Sequence, residues 1–358
     1  MTAGTTRTDP LIVWGAVLAT VLFVLYVYPG PLAPVRSHFA GSCTELPMEA
    51  SAEDIRIDRQ RGVAYLSYLD RAKPRSTSVS GTVMLVDLNA AEPRIRAALS
   101  TTPPGFRPSG MSLHVPAEGP RRLFVINTVH GGVDSVEIFE QTPTGTFAHV
   151  ESVRDRLLAS ANALVAVGPR QFYAASFSGQ NPASEPDRRD LRRGSWNVVY
   201  YDGKRMRAVA ERLRMASGIE ISPDGREIYV SEANRRQLRI FDRSMQRGDL
   251  KLRDTVPLGS VPDNLTVGDD GSVWIAAHPR AMTLARHFED ATTRSPTQVL
   301  KFTPGAIGDE RVSEVYLNDG TQLSAGSVAA TWRDRMLVGA LNDRRLLVCR
   351  LTPDGPER

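Results

Sequence analysis

The chain has 358 residues, 41% hydrophobic and 23% charged, with 28 Gly and 24 Pro, a balance that supplies a large core and excludes disordered and collagen-like chains. Its 44 Lys and Arg against 40 Asp and Glu leave a net charge of +4, too thin an excess for a nucleic-acid groove, so no nucleic-acid partner is expected. Two cysteines, Cys43 and Cys349, are too few for a cysteine-built zinc site or a disulfide-dense scaffold.

Residues 1–10 form a short tail ahead of Leu11 to Tyr28, LIVWGAVLATVLFVLYVY, which carries no charge over 18 residues. At about 1.5 Å per residue that run approaches the roughly 30 Å hydrocarbon core, so an N-terminal transmembrane helix is expected over 11–28. Pro29 and Pro31 end it. No small-x-small cleavage site follows closely, which favours an uncleaved anchor over a removed signal peptide. A lipoprotein reading of Ala40-Gly41-Ser42-Cys43 is weaker, because the cysteine lies 15 residues beyond the apolar run. A linker over 29–42, a folded region over 43–351 and a tail over 352–358 complete the expected organisation. One thiol opens the folded region and the other closes it. A bridge between them requires an oxidising compartment, which places the folded region in the periplasm, lumen or exterior; two unpaired thiols in a cytosolic domain are the alternative.

From residue 53 onward, short alternating β-type runs are separated by Gly, Asp, Asn and Pro turns, and helices are scarce. Six strand-turn-strand units align: Ile55 to Leu88, His114 to Glu140, Val165 to Asp202, Ile219 to Asp242, Leu265 to Phe302 and Val328 to Leu351. Their starts fall 46 to 63 residues apart, the spacing of four-stranded blades around an axis. The expected fold is an all-β, six-bladed β-propeller preceded by the transmembrane helix. Turns such as Pro223-Asp224-Gly225 and Asp269-Asp270-Gly271 join an inner strand to an apolar one (EIYVSE, SVWIAA). The ring has one seam, where first and last blades meet, and a Cys43–Cys349 bond would clasp it.

In such a ring, polar residues just before the inner strands converge although they are far apart in sequence. The candidates are Glu53-Asp54, Asn162, Ser217-Gly218 with Glu220, and Asp263-Asn264. Carboxylate and amide oxygens without thiol or imidazole are hard ligands that select calcium over zinc or copper. Each residue alone is an ordinary turn former, but their shared phase in four repeats points to one site. The run from Arg188 to Arg193 is expected to be a solvated loop, and no Gly-x-Ser-x-Gly elbow surrounds Ser109 or Ser217.

These residues resemble the calcium-dependent paraoxonase/arylesterase (serum paraoxonase-type) lactonases, six-bladed propellers related to the gluconolactonase and senescence-marker group. The resemblance rests on Ala52-Glu53-Asp54-Ile55, Val165-Ala166-Val167-Gly168-Pro169 with Phe172-Tyr173, Asn197 to Tyr201, Ala216-Ser217-Gly218-Ile219 with Ile221 to Gly225, Asp263-Asn264 and His278-Pro279. It implies the Cys43–Cys349 disulfide and a catalytic calcium held by Glu53, Asn162, Asp263 and Asn264, with Ser217 in place of a fifth ligand, an Asn in the family. It also implies a second, structural calcium on Asp54. The Asp expected beside it after Asn162 is Ala163 here, so that second site should be absent or much weakened. The family's His-His dyad would fall at Pro108-Ser109-Gly110 and Asn127-Thr128-Val129, where both imidazoles are missing; His114 and His130 are their nearest substitutes. His278 is expected on the pocket wall, positioning substrate. The implied function is hydrolysis of lactones or aryl esters, with Ca2+ polarising the ester carbonyl and Asp263 or Glu53 activating water. The alternatives are a non-catalytic, calcium-stabilised binding or scaffold module, and a strictosidine-synthase-like condensing enzyme. The expected partners are a small lactone or ester substrate and the membrane.

Overall fold

The computed structural model describes residues 13–15, 17–20, 34–73, 79–129, 133–177 and 195–352. The chain divides into Met1–Arg36 and Ser37–Arg358. In the first unit 13–15 and 17–20 are helical and exposed. No helix among the described residues is long and apolar enough to cross a membrane. The transmembrane helix expected over 11–28 is therefore not shown: 13–15 and 17–20 are helical, and the rest lies outside the described residues.

The second unit opens with β1 (His38–Phe39) and β2 (Ser42–Pro47), then builds six antiparallel sheets. Blade one is β3 (Ser51–Asp58), β4 (Val63–Leu69), β5 (Thr82–Asp87) and β6 (Ile95–Ala97). Blade two is β7 (Pro108–His114), β8 (Arg122–Asn127), β9 (Ser135–Gln141) and β10 (Phe147–Arg154). Blade three is β11 (Ala163–Ala166), β12 (Phe172–Phe177), β13 (Trp196–Tyr201) and β14 (Met206–Leu213). Blade four is β15 (Ala216–Ile221), β16 (Glu227–Glu232), β17 (Gln237–Arg243) and β18 (Leu250–Pro257). Blade five is β19 (Val261–Val267), β20 (Val273–His278), β21 (Thr297–Phe302) and β22 (Val312–Asn318), extended by β1. Blade six is β23 (Gly326–Trp332), β24 (Arg335–Ala340) and β25 (Arg345–Arg350), completed by β2. The inner strands β3, β7, β11, β15, β19 and β23 pack each against the next, and β23 returns to β3. The six-bladed propeller expected from the repeats is the fold observed.

Strand alternation explains the core. In β11, Leu164 and Ala166 pack with Phe124 and Ile138 of blade two, whereas Ala163 and Val165 pack with Ile219 and Val230 of blade four. With both faces buried, the second strands of the blades, such as RLFVIN in β8, FYAASF in β12 and VWIAAH in β20, read as near-continuous apolar runs rather than half-polar ones. Six apolar clusters result, each between two adjacent blades.

Cys43 is the register partner of Cys349 and bonds to it at 2.04 Å across 306 residues of chain. The bond lies inside blade six, between β2 and β25, and not across the seam of the first and last blades where the spacing had placed it. Ala52, Ile55 and Leu66 packing on Val328, Trp332 and Leu346 hold that seam. A helix, α1 (Ala281–Glu289), follows β20 and was not expected.

Candidate functional site

The candidate residues sit within the inner strands, at one-residue bulges near their starts. Ala52 pairs with Tyr68 and Ile55 with Leu66, so β3 holds one residue more than β4 and the excess falls on Glu53-Asp54. The same slip falls on Ser109-Gly110 in β7, Ser217 in β15, Asp263-Asn264 in β19 and Ser327 in β23. Asn162 stands immediately before β11. Such bulges re-aim side chains out of the strict alternation and are over-represented beside active sites.

Hydrogen bonds between blades lock these bulges together. Asn264 Nδ2 and Ser327 Oγ both donate to the Glu53 carbonyl, at 3.1 and 2.8 Å. Ser217 Oγ donates to the Pro262 carbonyl and Ser231 Oγ to the Asp263 carbonyl, each at 2.9 Å. Asn162 Nδ2 donates to the Ser217 carbonyl at 2.7 Å. Asp54 Oδ2 accepts from the Met111 amide at 2.6 Å. Residues of all six blades, separated by up to 274 positions in sequence, are tied into one belt.

The electrostatics follow from burial. Glu53 is buried, and loss of water raises its carboxyl to about 7; Arg71 pulls it back, while the charges of Asp54 and Asp263 push it further up. Arg71 Nη2 lies 3.4 Å from Glu53 Oε2 and donates to the Pro108 carbonyl at 2.6 Å. Oδ2 of Asp263 lies 3.2 Å from Nε2 of His278, whose side chain is buried and whose Nδ1 has no partner.

The donor set suits a calcium ion at Asn264. Asn264 spends its Nδ2 on the Glu53 carbonyl, and its fully buried Oδ1 has no partner. A buried acceptor left without a donor, beside the carboxylate of Glu53 and the adjacent Asp263, is what a hard cation would satisfy. Asn162 likewise commits its nitrogen and keeps its carbonyl oxygen. The set is amide-rich: among the described residues no group of three or more His, Cys, Asp or Glu could hold a metal. Ser217 directs its hydroxyl to the Pro262 carbonyl and shares a 3.1 Å contact with Ser231 Oγ.

Other expectations fare differently. Asp54 is joined to Arg56: its Oδ1 accepts from the Ile55 amide, and its Oδ2 accepts from Arg56 Nη2 at 3.1 Å as well as from Met111. Its carboxylate is fully engaged, so a structural ion does not fit there. Ser109 has a buried hydroxyl without a partner, and Thr128 gives its hydroxyl to the Arg107 carbonyl at 3.1 Å. His114 ends β7, five residues from Ser109 and about 17 Å away at strand rise, so it does not stand in for the missing imidazole. His130 and the arginine run 188–193 lie outside the described residues. Arg71, Arg56, Ser231 and Ser327 were missed by the sequence reading. The signal for Arg56 was present: a charge between Ile55 and Ile57 in a buried inner strand.

A ring of six antiparallel blades, its inner strands packed each against the next, defines a six-bladed β-propeller. The arylesterase family model matches residues 47–351, and the chain belongs to that family. Human serum paraoxonase/arylesterase 1 is 27% identical over 310 residues, covering 84% of this chain and 86% of the relative. Bovine serum paraoxonase/arylesterase 2 is 30% identical over 312 residues with the same coverage. Among solved structures, a gluconolactonase from Xanthomonas campestris aligns with a TM-score of 0.53 at 15% identity, covering 89% of this chain and 95% of that one. The calcium-binding protein regucalcin from Agrobacterium tumefaciens aligns with a TM-score of 0.53 at 14% identity, covering 88% and 96%. These last two likenesses show the fold.

Proposed function

We propose that the chain is a calcium-dependent hydrolase of lactones or aryl esters acting at the bulged ends of the inner strands. The observation that carries this reading is the buried, unpartnered Oδ1 of Asn264 beside Glu53 and Asp263. Asn264, Glu53 and Asp263 would hold the ion, with Asn162 and Ser217 contributing oxygen. When bound, calcium supplies Lewis-acid polarisation of an ester carbonyl and charge for the developing oxyanion. Asp263 takes the proton from attacking water, its carboxylate held by His278 at 3.2 Å. Glu53, raised to about 7 by burial in the metal-free chain, is the second group able to take a proton. His278, buried at the end of β20, orients Asp263 and bounds the substrate. The Cys43–Cys349 bond supports folding in an oxidising compartment outside the cytoplasm.

A second reading, a calcium-stabilised binding module, draws on Ser109 and Thr128, which offer no titrating base where the family resemblance places its two imidazoles. One experiment separates them. The full chain is assayed on a panel of lactones and phenyl acetate with calcium and with chelator, beside Asn264→Ala and Asp263→Ala. Turnover that requires calcium and is lost in both variants supports the hydrolase. A calcium-dependent rise in melting temperature without turnover supports the module. Turnover indifferent to chelator overturns both.

A further inference from the structure

Arg56 is a buried cation apart from the belt of bulges. It lies in β3 between two isoleucines and is 6% exposed, and its guanidinium meets acceptors from four blades. Nε donates to the Met111 carbonyl of blade two at 2.6 Å, and Nη2 to Asp54 Oδ2 of blade one at 3.1 Å. Nη1 donates to Glu220 Oε2 of blade four at 2.7 Å and to the Leu265 carbonyl of blade five at 2.9 Å. Contact with blades one, two, four and five puts this one group at the middle of the ring. Two carboxylates and two carbonyl oxygens converging on a centre form the donor set a hard divalent cation takes. Here the remaining oxygens are engaged as well: Asp54 Oδ1 by the Ile55 amide and Glu220 Oε1 by the Ile221 amide. Ala163, on β11, stands where a second metal-binding carboxylate was expected. Burial opposes the charged guanidinium, but the charges of Asp54, Glu220 and Glu53, with the hydrogen bond to Asp54, together favour it.

We propose that the Arg56 guanidinium is a covalently supplied cation that replaces the second, structural calcium, so that the centre of the propeller is held together without a metal. A planar fork with five fixed donors can bridge four blades at once, which a lysine ammonium cannot. Removing it leaves the buried Asp54 and Glu220 carboxylates uncompensated, and they become a site for an exchangeable ion.

The test counts ions on the full chain by equilibrium dialysis with calcium, and follows melting temperature with chelator and with millimolar calcium. One ion per chain in the wild type, lost in Asn264→Ala, is the expected result. Two ions, one of them lost in Asp54→Asn, overturns the proposal. No bound ion sinks the catalytic calcium proposed above and leaves Arg56 to the second arm. There, Arg56→Met is expected to bind one ion more than the wild type and to melt at least several degrees higher with calcium than with chelator. A variant unfolded in chelator and folded in calcium supports the proposal in the same way. A folded Arg56→Met with the wild-type count and no added calcium dependence overturns it. If Arg56→Met folds under neither condition, the neutral Arg56→Gln is used: it should lose melting temperature in chelator and regain it with calcium, and equal melting to wild type in both overturns the proposal.

Discussion

Nε2 of His278 lies 3.2 Å from Oδ2 of Asp263, which joins the end of β20 to the bulge of β19 across 15 residues of chain. The imidazole is buried and Asp263 is its one partner among the described residues, so His278 acts through the carboxylate. His278→Ala is expected to lower kcat/KM on an ester substrate by about 10- to 100-fold, the range for loss of a partner that orients a metal-site ligand. His278→Gln, which keeps an amide donor, should recover part of that loss. Activity of the alanine variant within twofold of wild type would remove His278 from the site.

Gly218 sets how closely β15 approaches β19. A Cβ there would stand 2.6 Å from the Asp263 carbonyl and 2.9 Å from Ser231 Oγ, the donor to that carbonyl. Gly218→Ala must therefore push the Asp263 bulge outward, at a cost of about 1 to 3 kcal/mol as for other overpacked positions. The expected outcome is weaker calcium protection against thermal unfolding together with lost turnover. Titrating calcium against melting temperature checks it, and an unchanged midpoint would show that Asp263 takes no part in holding the ion.

The disulfide makes a separable contribution. It closes a 306-residue loop between β2 and β25, and so constrains the unfolded chain far more than the native one. The double variant Cys43→Ser with Cys349→Ser is expected to be less stable by about 2 to 5 kcal/mol. Denaturant titration in oxidising and reducing buffer measures this. Equal midpoints for the reduced wild type and the double variant, both below the oxidised protein, are required.

The ring was legible because six apolar units repeat with turn chemistry between them, and both faces of an inner strand must be buried. The site was legible only in outline. Glu53, Ser217, Asp263 and Asn264 were read as lying before the inner strands, whereas they are inside them: a one-residue bulge resets the period-two phase that would have marked them. Arg56 escaped because a lone arginine in IRID reads as a solvated charge until four blades are seen to surround it. The disulfide was placed across the seam because SCTELP, the β2 segment, lacks apolar alternation and gave no sign of completing blade six. Helix α1 has the buried Leu284 and His287 on one side, but it runs only nine residues and carries no side-chain cap to mark its start.

Acid sensitivity should enter through Glu137 of blade two, far from the metal ligands in sequence. Its buried carboxylate accepts from Ser135 Oγ, Ser152 Oγ, Asn127 Nδ2 and His149 Nε2. Burial by itself would raise the carboxyl, but the donors, with Ser135 foremost, hold it below its ordinary value of 4.5. A folded-state value below the unfolded one means that this contribution is complete above pH 4.5 and is lost as pH falls through the folded value. Glu137→Gln no longer titrates and turns amide hydrogens toward groups that donate, a loss of about 1 to 3 kcal/mol at neutral pH. The gap in stability between wild type and Glu137→Gln should therefore be widest near pH 7 and narrow steadily below pH 4.5. Denaturant midpoints of both proteins from pH 7 to pH 3 decide the matter, and a gap of constant width would mean that the four donors hold the side chain regardless of its charge.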